Sequence, residues 1–168
     1  EPGSALASLV EKGVWSEAPE ELCAAQYARL CEVLKAAGYN HYEISNFALP
    51  GFEAVHNSAY WKHVPYIGLG PGAHSYITDG DFMRKWNEPD IVRYFDAMAS
   101  KDLSLVQDGE ILDEEQIALE KIMLALRTSE GISEDYLRAN GQASAIEAAL
   151  AEGNLVRLPD SRFRASAA

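Results

Sequence analysis

Cysteine is scarce in this chain: two residues, Cys23 and Cys31, among 168. Their spacing fits no zinc or iron–sulfur motif, and both sit in an alanine-rich stretch, as small core residues of a reducing compartment do. Positive charge is scarce too, with 14 Lys and Arg against 26 Asp and Glu and a net charge of −12. Phosphate binding needs concentrated cations, so no nucleic-acid partner is expected, and an anionic membrane surface is disfavoured. No apolar run approaches the roughly 20 residues of a membrane span. The opening EPGSALASLVEKG lacks the basic-then-apolar order of a secretory signal. These absences point to a cytoplasmic location. Apolar residues are plentiful, at 48% of the chain, enough to bury the core of one ordinary domain or two small ones. The chain opens on Glu1-Pro2-Gly3 and closes just after a short strand pattern, so a piece of a longer protein is expected.

The pattern predicts a short helix from Ala5 to Lys12, capped by Ser4 and ended by Gly13. A longer one follows over residues 19–37, with Pro19, Glu20 and Glu21 at its start and Gly38 at its stop. Cys23, Tyr27, Leu30, Leu34 and Ala37 recur at three and four, which predicts one buried stripe. His41 to Ser45 reads as a short strand, residues 46–65 as loop, and Tyr66 to Leu69 as another strand ended by Gly70-Pro71-Gly72. Asn87, Pro89 and Asp90 open a helix through Ser100. Asp113 and Gln116 are spaced as a capping box for a helix to Arg127. Ser133 caps a helix ending at Asn140-Gly141, and Ala143 to Glu152 forms another. Residues 155–158 and 162–164 then read as a hairpin. Three helices and a hairpin follow a winged-helix-like order.

All four histidines, His41, His56, His63 and His74, fall between residues 41 and 74 of the 168. Around them lie Glu43, Asn46, Asn57, Tyr60, Trp61, Tyr66 and Tyr76. Histidine binds metal or moves protons near neutral pH, aromatic rings offer flat faces, and Gly68, Gly70 and Gly72 let a backbone approach a ligand closely. Each element also has a plain structural reading. A loop histidine commonly bonds locally, Tyr60 and Trp61 can anchor a loop on the core, and Glu43 is either a base or a solvated strand residue. GLGPG lacks the lysine of a phosphate loop. The residue types indicate a ligand site and leave the ligand open.

The stretches EPGS, GYNHYEISNFALPG, HNSAYW and YIGLGPGAHSY resemble the oxygen-independent coproporphyrinogen III oxidase-like radical SAM proteins, and more closely their heme-chaperone (HemW-type) branch. The resemblance covers nearly the whole chain. It implies an α/β fold: residues 1–104 as the last βα units of a partial (β/α)6 barrel, and residues 105–168 as a small HemN-type C-terminal helical, winged-helix-like domain. The family's C-x3-C-x2-C cluster motif is absent here, so [4Fe–4S] and S-adenosylmethionine are expected in a longer parent and no radical chemistry from this stretch alone. In the chaperone branch the H-N-x-x-Y-W motif is linked to heme. The resemblance therefore implies heme binding by His56, Asn57, Tyr60 and Trp61, with His56 as iron ligand, and transfer of heme to receiving proteins. It further implies an S-adenosylmethionine approach by Gly70, Gly72, Ala73, His74 and Ser75. The oxidase branch carries an Asp-His pair before Phe-Ala; Ser45-Asn46 stand there in this chain. The alternatives are a coproporphyrinogen III oxidase (dehydrogenase) of porphyrin biosynthesis and a non-catalytic protein-docking module. Membrane association of a longer parent is left open.

Overall fold

The computed structural model describes residues 3–101 and 107–166. Its contacts separate two units, residues 1–41 with 45–52, and residues 42–44 with 53–168.

The first unit starts with α1 (Ala5–Glu11), where the Ser4 hydroxyl accepts from the Ala7 N–H at 3.1 Å. This satisfies one of the donors that a helix start leaves open. The second helix, α2 (Glu20–Ala36), follows Pro19 and places Glu20 and Glu21 in its first turn. It packs on β1 (Asn40–His41), which pairs antiparallel with β2 (Phe47–Ala48). The His41 ring stacks on Phe47 at 4.2 Å and shares a 3.2 Å hydrogen bond with the Tyr27 hydroxyl. The stripe expected to be buried is not. No described residue of α2 is buried, and Tyr27 and Leu30 are 40% and 47% exposed. Cys23 is exposed and Leu34 half-buried. A two-residue strand is too narrow to cover a helix of 17 residues. The strand expected over residues 41–45 is likewise shorter than its pattern suggested.

The second unit holds α3 (Val55–Trp61), a three-stranded antiparallel sheet, α4 (Ile91–Ser100), three further helices and a second sheet. The first sheet runs β3 (His74–Ile77), β4 (Phe82–Asn87), β5 (Gln107–Leu112). Its register sets Arg84, on the central strand, between Tyr76 and Glu110. Residues 66–69, expected as a strand, make one isolated bridge, Tyr66 to Tyr76. Asp90 caps α4 by accepting from the N–H groups of Val92 and Arg93, both at 2.9 Å.

Past residue 112 the elements are α5 (Glu114–Ala125), β6 (Ile132–Ser133), α6 (Glu134–Asn140), α7 (Ala143–Ala151), β7 (Leu155–Arg157) and β8 (Arg162–Ala165). The last sheet has the order β6-β8-β7. Two cores form, and α5 serves both. Ile117 near its start packs with Tyr76 and Leu112. Ile122, Ala125 and Leu126 near its end pack against Ile132, Leu137, Ile146, Leu155 and Phe163. The boundary expected at 104/105 lies outside the described residues. Every strand pair among the described residues is antiparallel. The parallel pairing of consecutive βα barrel units is therefore not among them.

The predicted capping box is present: the Gln116 N–H donates to Asp113 Oδ1 at 2.8 Å, and the Asp113 N–H donates to Gln116 Oε1 at 2.9 Å. Asp113→Ala removes the first bond, and a loss of about 1 kcal/mol is expected in urea unfolding. An unchanged midpoint would show that packing of Ile117 alone sets the helix start.

Candidate functional site

HNSAYW, expected in a loop, is the body of α3. Helical spacing places His56 and Tyr60 one turn apart on one face. The Tyr60 hydroxyl lies 3.0 Å from His56 Nε2, and the two rings meet edge to face at 5.1 Å. His56 is exposed, and Tyr60 is 37% exposed. On its other side the Tyr60 ring meets Tyr66 at 4.6 Å and 82°. Asn57 and Trp61 are half-buried, and the indole Nε1 of Trp61 is buried with no hydrogen-bond partner among the described residues. The site thus offers an imidazole and a phenol at the surface, backed by aromatic rings. Val55, 86% exposed, starts the same helix.

Just past α3 the chain turns at His63, whose φ is +55°. This left-handed turn, uncommon for a residue with a Cβ, sends the imidazole inward. His63 Nε2 lies 3.1 Å from Glu120 Oε2, and the Tyr76 ring is 4.3 Å away. Arg84 Nη2 donates to both oxygens of Glu120 at 2.6 Å, and its Nη1 donates to Glu110 at 3.2 Å. Burial raises the Glu120 carboxyl, but the hydrogen bonds from Arg84 and His63 outweigh it and hold the group below its usual range. Burial lowers His63, and its bond to Glu120 only partly offsets that, so the imidazole is neutral near pH 7. Burial also pushes the Tyr76 and Tyr66 phenols up, Tyr66 further by its neighbour Tyr60. Lys62 adds a surface pair with Glu130 at 2.8 Å. The end of α3 is therefore tied once to α5, through Glu120, and once to the turn that follows it, through Glu130.

The glycine-rich turn has another geometry. Gly70 and Gly72 have φ of +97° and +67°. Asn87 Nδ2 donates to the Gly70 carbonyl at 2.8 Å, and the Asn87 N–H to that of Ala73 at 2.9 Å. The Gly68 N–H donates to buried Ser75 Oγ at 3.0 Å. A Cβ on Gly68 would lie 2.0 Å from the His74 carbonyl oxygen, so glycine here permits a close approach to β3 itself. Ala73 is half-buried, and exposed His74 has its ring 6.1 Å from Trp86. Tyr66 joins the two regions through its ring contact with Tyr60 and its bridge to Tyr76.

Glu43 is buried, with a backbone bridge to Thr128. Glu120 and Arg84 were not legible as site residues. One signal was present: Glu120 follows buried Ile117 by three positions, which places a charge on the inner face of a helix. Cys23 and Cys31 are the only cysteines of the sequence, one short of the three thiolates in the cluster motif. Among the described residues no group of three His, Cys, Asp or Glu could hold a metal ion. The residues of this chain do not fit an iron–sulfur cluster. No described helix is long and apolar enough to cross a membrane.

No family model matches the chain. The "Heme chaperone HemW" of Bacillus subtilis (strain 168) is 35% identical over 167 residues, covering 96% of this chain and 43% of that protein. The protein of the same name from Synechocystis sp. is 34% identical over 133 residues, covering 79% and 32%. A "Radical S-adenosyl methionine domain-containing protein 1, mitochondrial" from Danio rerio is 33% identical over 143 residues, covering 81% and 32%. The chain thus spans 32–43% of the length of these relatives. Among solved structures, the coproporphyrinogen III oxidase (HemN) of Escherichia coli, described as a radical SAM enzyme, superposes with a TM-score of 0.59. That match has 16% identity and covers 83% of this chain and 36% of the other, a likeness of fold.

Proposed function

The chain belongs to the coproporphyrinogen III oxidase-like radical SAM family, whose HemW-type members it resembles over most of its length, and we propose that it carries the heme-holding segment of a heme chaperone. One observation carries the reading: a surface imidazole, His56, hydrogen-bonded to Tyr60 on one helix face, with the Tyr66 ring packed behind Tyr60. A neutral imidazole ligates heme iron, and flanking rings cover the macrocycle. His56 is the iron ligand, Tyr60 and Trp61 flank the porphyrin, and Asn57 lies on the same helix as a polar contact. Heme is cargo here, bound and then passed to a receiving protein.

The cluster and S-adenosylmethionine belong, in this reading, to the longer protein. Gly70, Gly72, Ala73, His74 and Ser75 are the residues of this chain proposed to border the nucleoside cofactor. The cytoplasmic location expected from the sequence is part of the same reading.

The test is heme stoichiometry. The full-length protein is loaded with hemin, desalted, and assayed as the pyridine hemochrome. His56→Ala is expected to retain well under half of the heme that the parent retains, with an unchanged melting temperature, because His56 is exposed. Equal retention would refute ligation by His56.

A further inference from the structure

We propose that the Tyr60 hydroxyl is a latch on the iron-binding nitrogen of His56, an inference that rests on the heme reading above. Of the two imidazole nitrogens, Nε2 lies farther from the backbone. A flat macrocycle reaches it without meeting the helix. In the structure that nitrogen is already engaged, 3.0 Å from the Tyr60 oxygen. With the ring proton on Nδ1, the phenol O–H donates to Nε2 and occupies the lone pair that iron needs. An iron–Nε2 bond forms only as this hydrogen bond breaks. The exchange balances: one hydrogen bond is lost, one coordinate bond is gained, and the phenol keeps its proton and turns to water.

Three features make this more than a chance surface contact. The partners sit one helical turn apart, at a spacing where side chains meet without distortion. Tyr60 is backed by the edge-to-face contact with Tyr66. Tyr66 is in turn half-buried and fixed by mutual N–H···O bonds with Tyr76, both at 2.9 Å. The hydroxyl is therefore presented to His56 by a partner that cannot easily move away. A protein that must give up its cargo gains from such a competitor, since the phenol recaptures the nitrogen as the iron leaves. Ring and hydroxyl then have opposite effects: the ring covers the macrocycle, and the hydroxyl opposes ligation.

Tyr60→Phe separates the two, keeping the ring on Tyr66 and deleting the hydroxyl. In the full-length protein, hemin titration followed at the Soret band is expected to show binding tighter by about two- to tenfold, the range of one net hydrogen bond. Transfer to apomyoglobin, followed by stopped flow, is expected to slow by a similar factor. The double variant Tyr60→Phe/His56→Ala is expected to bind no better than His56→Ala alone. Unchanged or weaker hemin binding in Tyr60→Phe, with binding still lost in His56→Ala, overturns the latch and leaves the heme reading standing. Hemin binding that is indifferent to His56→Ala in both backgrounds overturns the heme reading, and the latch with it.

Discussion

Glu120→Ala is expected to destabilise the protein by about 2–4 kcal/mol, because it removes the carboxylate that His63 and Arg84 share in a mostly buried setting and leaves Arg84 with Glu110. The side chains of His63, Glu120 and Arg84 are 8%, 21% and 30% exposed. Removing one partner of a fully buried pair costs about 3–5 kcal/mol, and the partial exposure of Arg84 lowers that figure. The pH dependence gives a second signature. Burial sets His63 below its ordinary 6.5. The unfolded chain therefore takes up the proton first, and stability falls as pH drops below about 6.5. Glu120 is held below its ordinary 4.5 despite its burial. Its contribution is present above that value and is lost as pH falls through the lower folded pKa. Urea unfolding across pH 3 to 8 should show both losses in the parent. In Glu120→Ala the acidic loss should shrink, Glu134 still being held low by Arg138 and Arg157, and the His63 loss should grow, since the bond that raised its pKa is gone. A variant with the parent's midpoint and pH profile would show that the cluster is a solvated surface network.

Phe163→Ala is expected to lose about 3–5 kcal/mol, the usual range for a large aromatic removed from a packed core. Phe163 is 1% exposed, the most buried large side chain described. It sits on β8, paired with both Ile132 of β6 and Arg157 of β7. It packs with Ile132, Leu137, Ile146 and Leu155, and its carbonyl oxygen lies where a Cβ on Gly131 would come to 2.2 Å. The neighbours cannot close around the gap without moving that turn. Because Ile122 and Ala125 of α5, and Leu126 just past it, pack on the same cluster, the loss should reach the end of α5 in hydrogen exchange. A cost under 1 kcal/mol would mean that the last sheet is not a cooperative part of the unit.

Local chemistry made much of this fold legible. Ser4, Asp90, Asp113 with Gln116, and Ser133 each cap the helix that their positions announce. The closing hairpin was legible from Pro159-Asp160-Ser161 between two short β-rich runs. What failed depended on distant partners. The α2 stripe has helical spacing, but periodicity reports a face and says nothing of whether that face is covered. HNSAYW reads as loop because Pro50-Gly51 and Pro65 flank it; in the structure it is a helix that no side chain caps. The sheet β3-β4-β5 went unseen although Asp79-Gly80, a turn dipeptide with Gly80 at φ +88°, lies between its first two strands. At the site, His56 and Tyr60 were legible as neighbours from their motif. Glu120 and Arg84 were not, since Glu120 reaches His63 from 57 residues downstream on α5, and Arg84 reaches Glu120 from the middle strand of the sheet.

The contrast between His56 and His63 gives the most direct test of the heme reading. His56 is exposed and bonded to one phenol, whereas His63 is inward and tied to Glu120. In the full-length protein loaded with stoichiometric hemin, the Soret spectrum should shift or collapse in His56→Ala. It should stay close to the parent's in His63→Ala, while the melting temperature falls in His63→Ala and holds in His56→Ala. The reverse pattern, an unaltered Soret band with heme stoichiometry intact in His56→Ala, would contradict the account and leave HNSAYW as a structural helix.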